Sequence, residues 1–272
     1  MAHEAIQGMA FATADGVAVK GDLYRPQADG PHPVLVAAPG GGWLRGDKAQ
    51  LAHWGRYLAD QGVAVLTIDY RRSTSGKIWP KNLNDVASAL AFVRAEGAQH
   101  NLDANRLGIL GASAGAHLAA LAALDEADRK DAPVRVLVGV YGPYDLAAHW
   151  QADVAKNAAA GGDPTERMLG ATPFDDQQLY FDASPIRCVT YARNALKILL
   201  IWGQEDIDIL PAQSLNFAEA LRQARFMVRT LPVPGAGHFW FSEEPIGPDT
   251  FSGYVAARLA GFLKSHLIGP GR

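Results

Sequence analysis

The sequence predicts an α/β protein with a mostly parallel central sheet, helices on both of its faces and an antiparallel hairpin at its N-terminus. Short apolar runs alternate with stretches of helical length along most of the 272 residues, and parallel strands need such crossover helices between them. Apolar runs of this kind are typical of strands that are covered on both faces. Between the first two runs stands Asp15-Gly16, a dipeptide that favours a tight hairpin turn.

The predicted elements follow from where the apolar runs begin and where turn residues end them. Gly62 closes the first predicted helix. The second carries apolar residues every three or four positions, at Leu83, Val86, Leu90 and Val93. The predicted strands are residues 6–13, 17–25, 33–38, 63–68, 106–110, 134–141, 196–202 and 226–232. The predicted helices are residues 47–61, 80–98, 114–124, 211–224 and 250–267.

The alternation fails once, between the predicted strands 134–141 and 196–202. A crossover needs only about a dozen residues, and the segment 142–195 far exceeds that length. We interpret residues at about 145–190 as an insertion that caps one edge of the sheet. No internal repeat and no long linker divides the sequence, so residues 1–272 are expected to form a single domain.

Composition and charge argue against several classes of protein. Hydrophobic residues make up 49% and charged residues 19%, which is too apolar and too weakly charged for a disordered chain. The net charge of −3, without a basic stripe, argues against a nucleic-acid partner. One cysteine excludes a disulfide framework and a Cys-rich zinc site. The first residues lack a signal-peptide pattern and the apolar runs are shorter than a membrane span, so a soluble, cytoplasmic protein is expected.

Gly111-Ala112-Ser113-Ala114-Gly115 lies between a predicted strand and a predicted helix, and it matches the G-x-S-x-G pattern of a nucleophile elbow. Side chains two positions before and after the serine would collide in so tight a turn, and both positions therefore need glycine. The serine hydroxyl then projects from the edge of the sheet. This pattern, in its strand–turn–helix context, predicts that Ser113 is a nucleophile.

Gly40-Gly41-Gly42 follows the predicted strand 33–38. A serine that attacks a carbonyl group needs backbone N–H groups that point at the developing oxyanion. Glycines let the backbone approach closely and orient its amides. We predict that this loop forms an oxyanion hole, although without the elbow the same loop would also fit a flexible turn at the end of a strand.

A serine nucleophile needs an adjacent base, and that base needs an acid that orients it. Asp206 and His238 each follow a predicted strand, and the chain order is Ser113, then Asp206, then His238. We therefore predict that Asp206 is the acid and His238 the base. Glu205 and Asp208 are competing carboxylates on the acid loop, and Asp206 is favoured over both.

Two other residues near this set have structural interpretations. Asp208 is expected to help start the helix that follows. His117 lies four residues past the serine on the same predicted helix, and we expect it to be a packed or hydrogen-bonded neighbour rather than the base. The sequence contains no H-E-x-x-H or comparable spacing of ligands, so no metal is predicted.

Several stretches carry a resemblance to a known family: Pro39-Gly-Gly-Gly-Trp43, Ile68-Asp-Tyr-Arg71, Gly-Ala-Ser-Ala-Gly-Ala-His-Leu118, Asp182-Ala-Ser-Pro185, Gly203-x-x-Asp206 and Gly237-His238. Over essentially the whole chain the sequence resembles the α/β-hydrolase superfamily. Within it, the chain looks like the small bacterial esterases of the feruloyl/acetyl-xylan esterase-like group, near the hormone-sensitive-lipase-like family. The resemblance implies the α/β-hydrolase fold, a carboxylesterase activity and no cofactor.

The resemblance also implies that the predicted nucleophile, acid and base form a catalytic triad. It assigns the oxyanion hole to the backbone amides of Gly41, Gly42 and Ala114. One position departs from the pattern, because Pro39 stands where these relatives carry a histidine that supports the glycine loop. The path of this loop is therefore the point that the sequence leaves open.

Aromatic residues near these loops predict an apolar pocket for a small to medium acyl or aryl ester. The predicted substrate-binding residues are Trp43, Trp150, Tyr180, Phe181, Phe239 and Trp240. For any one of them, packing of the cap against the sheet is an equally good explanation. The expected partner is a small-molecule ester, and neither a membrane span nor nucleic acid is expected. The sequence leaves a homodimer open because it does not give the oligomeric state.

Two other functions remain open at this point. An arylformamidase-type amide hydrolase would share the glycine loop, the elbow and the triad. A non-catalytic ligand-binding protein with a hydrolase fold is the more remote alternative, because such proteins typically lose the base or the nucleophile. This chain retains both of those residues.

Overall fold

The computed structural model describes residues 2–126, 130–156 and 163–268, and eight strands of this part of the chain form one sheet. The strands are β1 His3–Ala14, β2 Val17–Pro26, β3 His32–Ala38, β4 Ala64–Ile68, β5 Leu102–Ala112, β6 Val134–Val140, β7 Lys197–Gly203 and β8 Met227–Val233. Their order across the sheet is β1-β2-β4-β3-β5-β6-β7-β8. β2 pairs antiparallel with both of its neighbours, and all other neighbouring strands are parallel.

Helices connect the parallel strands, as crossover connections require. They are α1 Ala52–Asp60, α2 Lys81–Glu96, α3 Ala114–Glu126, α4 Leu146–Lys156, α5 Pro164–Leu169, α6 Gln177–Asp182, α7 Pro211–Gln223, α8 Trp240–Glu243 and α9 Phe251–Leu263. A π-helical turn, Lys264–Ile268, extends α9. None of the helices in the described ranges combines the length and the apolar character that crossing a bilayer requires.

The predicted α/β fold is confirmed, since each predicted strand and helix has a counterpart in the structure. The N-terminal hairpin closes at the predicted Asp15-Gly16 turn, where Ala14 pairs with Val17. The antiparallel pair lies at one edge of the sheet, and the parallel strands that carry the predicted site follow it.

Several predicted boundaries differ from the structure by a few residues, and two of the differences have a clear physical reason. The helix predicted at 47–61 begins as a 3-10 turn, Lys48–Leu51, because the Asp47 side chain accepts the Ala49 N–H at 2.8 Å and caps a tighter turn. β5 begins at Leu102 rather than at 106, since Leu102 already pairs with His32 before a register shift in the ladder.

The centre of the sheet is fully buried because helices cover both of its faces. Every residue of β3 and β4 is buried. On the neighbouring β5, a Cβ at Gly108 would stand 2.8 Å from Cδ2 of Leu35, so the glycine makes room for the Leu35 side chain. At this packing density, removing atoms from the Leu35 side chain leaves a cavity.

Between β6 and β7, where the sequence predicts a cap at about 145–190, the structure contains α4, α5 and α6. α4 contacts both α5 and α6. Residues 157–162 of this segment lie outside the described residues. The interpretation of this segment as a cap, and of residues 1–272 as a single domain, stays a prediction.

We expect Leu35→Ala to lower the free energy of unfolding by about 2–5 kcal/mol, because Leu35 is completely buried in the central strand β3. Val17→Ala is the control, since Val17 is 69% exposed and its truncation should change the value by less than about 0.5 kcal/mol. Urea unfolding of both variants measures the difference. Equal losses in the two variants would contradict this description of the core.

Candidate active site

Ser113 occupies a strained turn between β5 and α3. Its φ is +53°, a left-handed conformation that residues other than glycine rarely adopt. The Ser113 N–H donates to the Val140 carbonyl at 2.9 Å, which anchors the turn to β6. A Cβ at Gly111 would collide with the Gly115 carbonyl, so the turn depends on glycine at that position. This is the geometry that the G-x-S-x-G pattern predicts.

The structure brings the three residues of the predicted triad together. His238 Nε2 lies 3.0 Å from Ser113 Oγ, and His238 Nδ1 lies 2.7 Å from Asp206 Oδ2. The side chains of His238 and Asp206 are 3% and 0% exposed. When Nδ1–H donates to the carboxylate, Nε2 carries the lone pair that accepts the serine proton. The arrangement can therefore raise the nucleophilicity of the Ser113 hydroxyl.

Asp206 is held in a fixed orientation by two backbone amides. The backbone N–H groups of Asp208 and Ile209 donate to Asp206 Oδ1 at 3.0 and 2.9 Å. The other carboxylate oxygen is thereby left to face His238. Glu205 and Asp208 are both exposed to solvent. The structure thus places Asp206, rather than either neighbour, against the imidazole.

The glycine loop after β3 lies beside the serine. Gly41 and Gly42 have φ values of +116° and +59°, and a Cβ at Gly41 would collide with the Arg45 carbonyl. Within the part of the chain that the structure describes, the amides of Gly41 and Gly42 donate to no backbone carbonyl. Both glycines line one cavity together with Ser113 and Ala114. Their amides are thus available to a group bound at the serine.

The structure also shows how this loop is held although Pro39 has no side-chain donor. The Tyr70 hydroxyl donates to the Pro39 carbonyl at 3.0 Å. Further along, Trp43 Nε1–H donates to His117 Nδ1 at 3.2 Å, and His117 Nε2 lies 2.7 Å from the Ala183 carbonyl. His117 must therefore be neutral, with its proton on Nε2. It is the hydrogen-bonded neighbour that the sequence predicts.

The cavity beside the serine has a volume of about 650 Å³. Of the six predicted substrate-binding residues, only Trp43 and Phe239 line it. Trp43 is buried and Phe239 is 43% exposed, so they lie at the base and at the opening respectively. This corrects the prediction of a pocket formed by all six aromatic side chains.

The other four aromatic residues lie elsewhere because their helices direct them away from the cavity. Trp240 is buried against the ring of Tyr141. Tyr180 and Phe181, on α6, line a separate cavity of about 150 Å³. Trp150, on α4, makes an edge contact with a ring of the same segment. Tyr180 and Trp150 belong to the buried core, as the alternative of a cap packed against the sheet expects, whereas Phe181 is 50% exposed.

One wall of the large cavity is polar, which the sequence analysis missed. His149, Asp153 and Lys156 of α4 line it, and His149 Nε2 lies 3.4 Å from Asp153 Oδ2. The i, i+4 spacing of His149 and Asp153 could have indicated this polar wall from the sequence, because it places both side chains on one helix face. Burial lowers the pKa of His149 to about 4 and raises the pKa of Asp153.

Within the described ranges, no group of three or more His, Cys, Asp or Glu side chains could hold a metal ion.

Two buried histidines make stability depend on pH. Burial lowers the pKa values of His117 and His149 from 6.5 to about 4, so the unfolded chain binds more protons than the folded one in this interval. The neutral form of each histidine contributes up to roughly 3 kcal/mol to the free energy of unfolding. This contribution is fully present above about pH 6.5 and is lost as the pH falls towards 4. We expect urea unfolding at pH 7, 6 and 5 to show this decline, and His117→Gln to show a shallower one. An unchanged slope in the variant would contradict a neutral, buried His117.

Known proteins are similar to this chain in sequence and in fold. Esterase LipC of Mycobacterium tuberculosis is 38% identical over 221 residues, which are 76% of this chain and 53% of LipC. A bifunctional GH43-CE protein of Bacteroides eggerthii superposes with a TM-score of 0.78 at 26% identity, over 95% of this chain and 37% of that chain. Carboxyl esterase 2 of the mycorrhizal fungus Tuber melanosporum has a TM-score of 0.79 at 21% identity, over 97% and 87% of the two chains. This last likeness shows the fold alone.

The chain spans about half the length of the curated relatives it matches. The family model BD-FAE matches residues 22–221, a range that includes Ser113 and Asp206 and ends before His238. Because this range is well over half of the sequence, and because LipC is similar over three quarters of it, the chain belongs to the BD-FAE family.

Proposed function

We propose that this protein hydrolyses carboxylic esters through an acyl-enzyme on Ser113. The observation that carries the proposal is the hydrogen-bonded chain from Ser113 Oγ through the His238 ring to Asp206, with distances of 3.0 and 2.7 Å. A neutral hydroxyl is a weak nucleophile, and a base held by a carboxylate activates it. The esterase name of LipC favours the same reaction here.

In the first step, His238 Nε2 takes the Ser113 proton while Oγ attacks the carbonyl carbon of the ester. The negative charge moves to the carbonyl oxygen, which accepts hydrogen bonds from the amides of Gly41, Gly42 and Ala114. Each such donor typically contributes about 3–4 kcal/mol to stabilising the transition state. The intermediate then collapses, and the imidazolium gives its proton to the departing alcohol.

In the second step, His238 takes a proton from water as the water oxygen attacks the acyl carbon. The second intermediate uses the same oxyanion hole, and its collapse returns the proton to Ser113 Oγ and releases the acid. Asp206 stays ionised and stabilises the imidazolium in both steps. The reaction consumes water and requires no cofactor.

The proposed substrates are small to medium acyl or aryl esters. A cavity of about 650 Å³ at the serine supports this size class, and its lining combines the aromatic Trp43 and Phe239 with the polar face of α4. We propose that α4, α5 and α6 act as the cap of this cavity. That role agrees with the position of His149 and Lys156 in its wall.

We expect Ser113→Ala to lower kcat for 4-nitrophenyl acetate by up to ~10⁶-fold, since the three residues act as a unit. Ser265→Ala, at an exposed position near the end of the described chain, is the control and should retain wild-type turnover. Release of 4-nitrophenolate measures both, and the melting temperature verifies that each variant is folded. A loss of only a few-fold in Ser113→Ala would refute the assignment of the nucleophile.

We expect Tyr70→Phe to lower kcat by roughly tenfold with little change in KM, because the Pro39 carbonyl loses its brace and the oxyanion donors lose their alignment. The Tyr70 side chain is buried and lines neither cavity at the serine, so substrate binding should persist. Tyr191→Phe, at a position that is 65% exposed, is the matched control. Wild-type kcat in Tyr70→Phe would show that this hydrogen bond does not position the loop.

A further inference from the structure

Two cavities meet at the reacting groups. The large cavity of about 650 Å³ and a smaller one of about 240 Å³ share Gly41, Ser113 and His238 among their lining residues. An ester has two arms, the acyl part and the alcohol part, on either side of the carbonyl carbon that the serine attacks. The two cavities can therefore receive one arm each, and the longer arm fits the large cavity.

Two exposed apolar side chains border the large cavity, each next to a residue of the triad in the sequence. Ile207 follows Asp206, and Phe239 follows His238. Ile207 is 73% exposed, more than any other large aliphatic side chain in the described ranges, and Phe239 is 43% exposed. Both side chains thus lie where the cavity opens to solvent. We call these two side chains the apolar lip.

Hydrogen bonds hold the backbone at Ile207 in place. The carboxylate oxygen Oδ1 of Asp206 accepts the N–H groups of Asp208 and Ile209, which closes a turn around residue 207. The ammonium group of Lys156 donates to the Ile207 carbonyl, so α4 holds the same turn from the other side. The turn that directs the carboxylate into the site therefore also directs its apolar neighbour out of it.

Phe239 is held by a left-handed backbone conformation. Its φ is +66°, and its carbonyl accepts the N–H groups of Ser242 and Glu243 at 2.9 and 3.0 Å. Its ring meets the His238 ring edge to face, with the two centroids 4.6 Å apart. A bulky residue in this conformation is a backbone outlier, and such outliers cluster at active sites and ligand clamps. Both parts of the lip are thus fixed before a ligand arrives.

An uncharged alkyl chain is the ligand that suits the lip. The lip belongs to the same cavity lining as the apolar side chains of Trp43, Pro143 and Ile209, so a chain attached at the serine can remain against apolar surface from the base of the cavity to its opening. Removing such surface from water is favourable and needs no specific orientation. Arg45 and Asp208 also border the cavity and are exposed, and their opposite charges favour an ion of neither sign.

We infer that the apolar lip binds the far end of a linear alkyl arm of the ester, which extends from Ser113 through the large cavity to its opening. The inference rests on the proposed ester hydrolysis, and it deepens that proposal by naming the substrate class. Esters with one medium-length alkyl arm should be preferred over esters with two short arms. The long arm could be the acyl part or the alcohol part, and isomeric substrates can distinguish the two.

The test uses two isomeric esters and a short reference. Ethyl octanoate places the long arm on the acyl side, octyl acetate places it on the alcohol side, and ethyl acetate has two short arms. All three esters are kept below their solubility limits, and acid release in a pH-stat gives kcat/KM. The measured quantity is the ratio of kcat/KM for a long ester to kcat/KM for ethyl acetate, compared between wild type and variant, which removes any general loss of activity.

We expect the wild-type ratio to exceed one for one of the long esters, which identifies the arm. Ile207→Ser should lower that ratio about fourfold or more, because returning one methylene group to water weakens binding by about this factor. Phe239→Ser should lower the same ratio, so the result does not depend on one variant being folded. Ile207→Leu, which restores apolar surface, should retain the wild-type ratio. Leu215→Ser is the matched control, since Leu215 is 51% exposed on α7 and lines neither cavity at the serine.

Wild-type ratios in both Ile207→Ser and Phe239→Ser, or a wild-type ratio below one for both long esters, would overturn the role of the lip and leave the proposed function intact. An equal fall in Leu215→Ser would do the same, because a distant apolar residue would then have the same effect. So would a preference for the long ester that arises only above its solubility limit, since the protein would then respond to the surface of ester droplets. A wild type that hydrolyses none of the three esters, and no 4-nitrophenyl acetate, would overturn the proposed function and the inference with it.

Discussion

The left-handed turn at Ser113 is the constraint on which the rest of the site depends. A side chain at Gly115 would collide with the carbonyls of Ala38 and Pro39, so the start of α3 can touch the end of β3 only because residue 115 has no Cβ. This contact puts the glycine loop that follows β3 beside the serine, where both line one cavity. The exposed hydroxyl and the nearby amides are therefore two results of one close approach of backbone to backbone.

The same kind of contact joins the loops that carry the acid and the base. The Glu205 N–H donates to the Ala236 carbonyl at 2.9 Å, and a Cβ at Gly203 would collide with the carbonyls of Ala236 and Gly237. β7 and β8 are parallel neighbours, so their carboxyl ends lie at the same edge of the sheet as the end of β5. The parallel arrangement of neighbouring strands, rather than the loops themselves, thus brings together residues that are distant in sequence.

These parts of the structure were predictable because their signals are local. A G-x-S-x-G pattern specifies its own turn, apolar runs specify buried strands, and the order of strands indicates which loops share an edge. The direction of Tyr180 or Trp240 is different, since it depends on how a short helix packs against the rest of the molecule. The polar wall that α4 forms was not predicted for the same reason. The spacing of His149 and Asp153 shows that they share a face, but not which surface that face meets.

The hydrogen bond between Trp43 and His117 has a mechanical consequence for catalysis. His117 lies one helical turn past Ser113 on α3, so one helix carries both the turn of the nucleophile and a brace of the glycine loop. A displacement of α3 would move the hydroxyl and the loop together and would preserve the distance between them. This linkage requires a neutral imidazole, because a protonated Nδ1 cannot accept the indole N–H. Burial lowers the pKa of His117 to about 4 and so maintains the acceptor at neutral pH, where a loop lacking a side-chain donor at Pro39 depends on it.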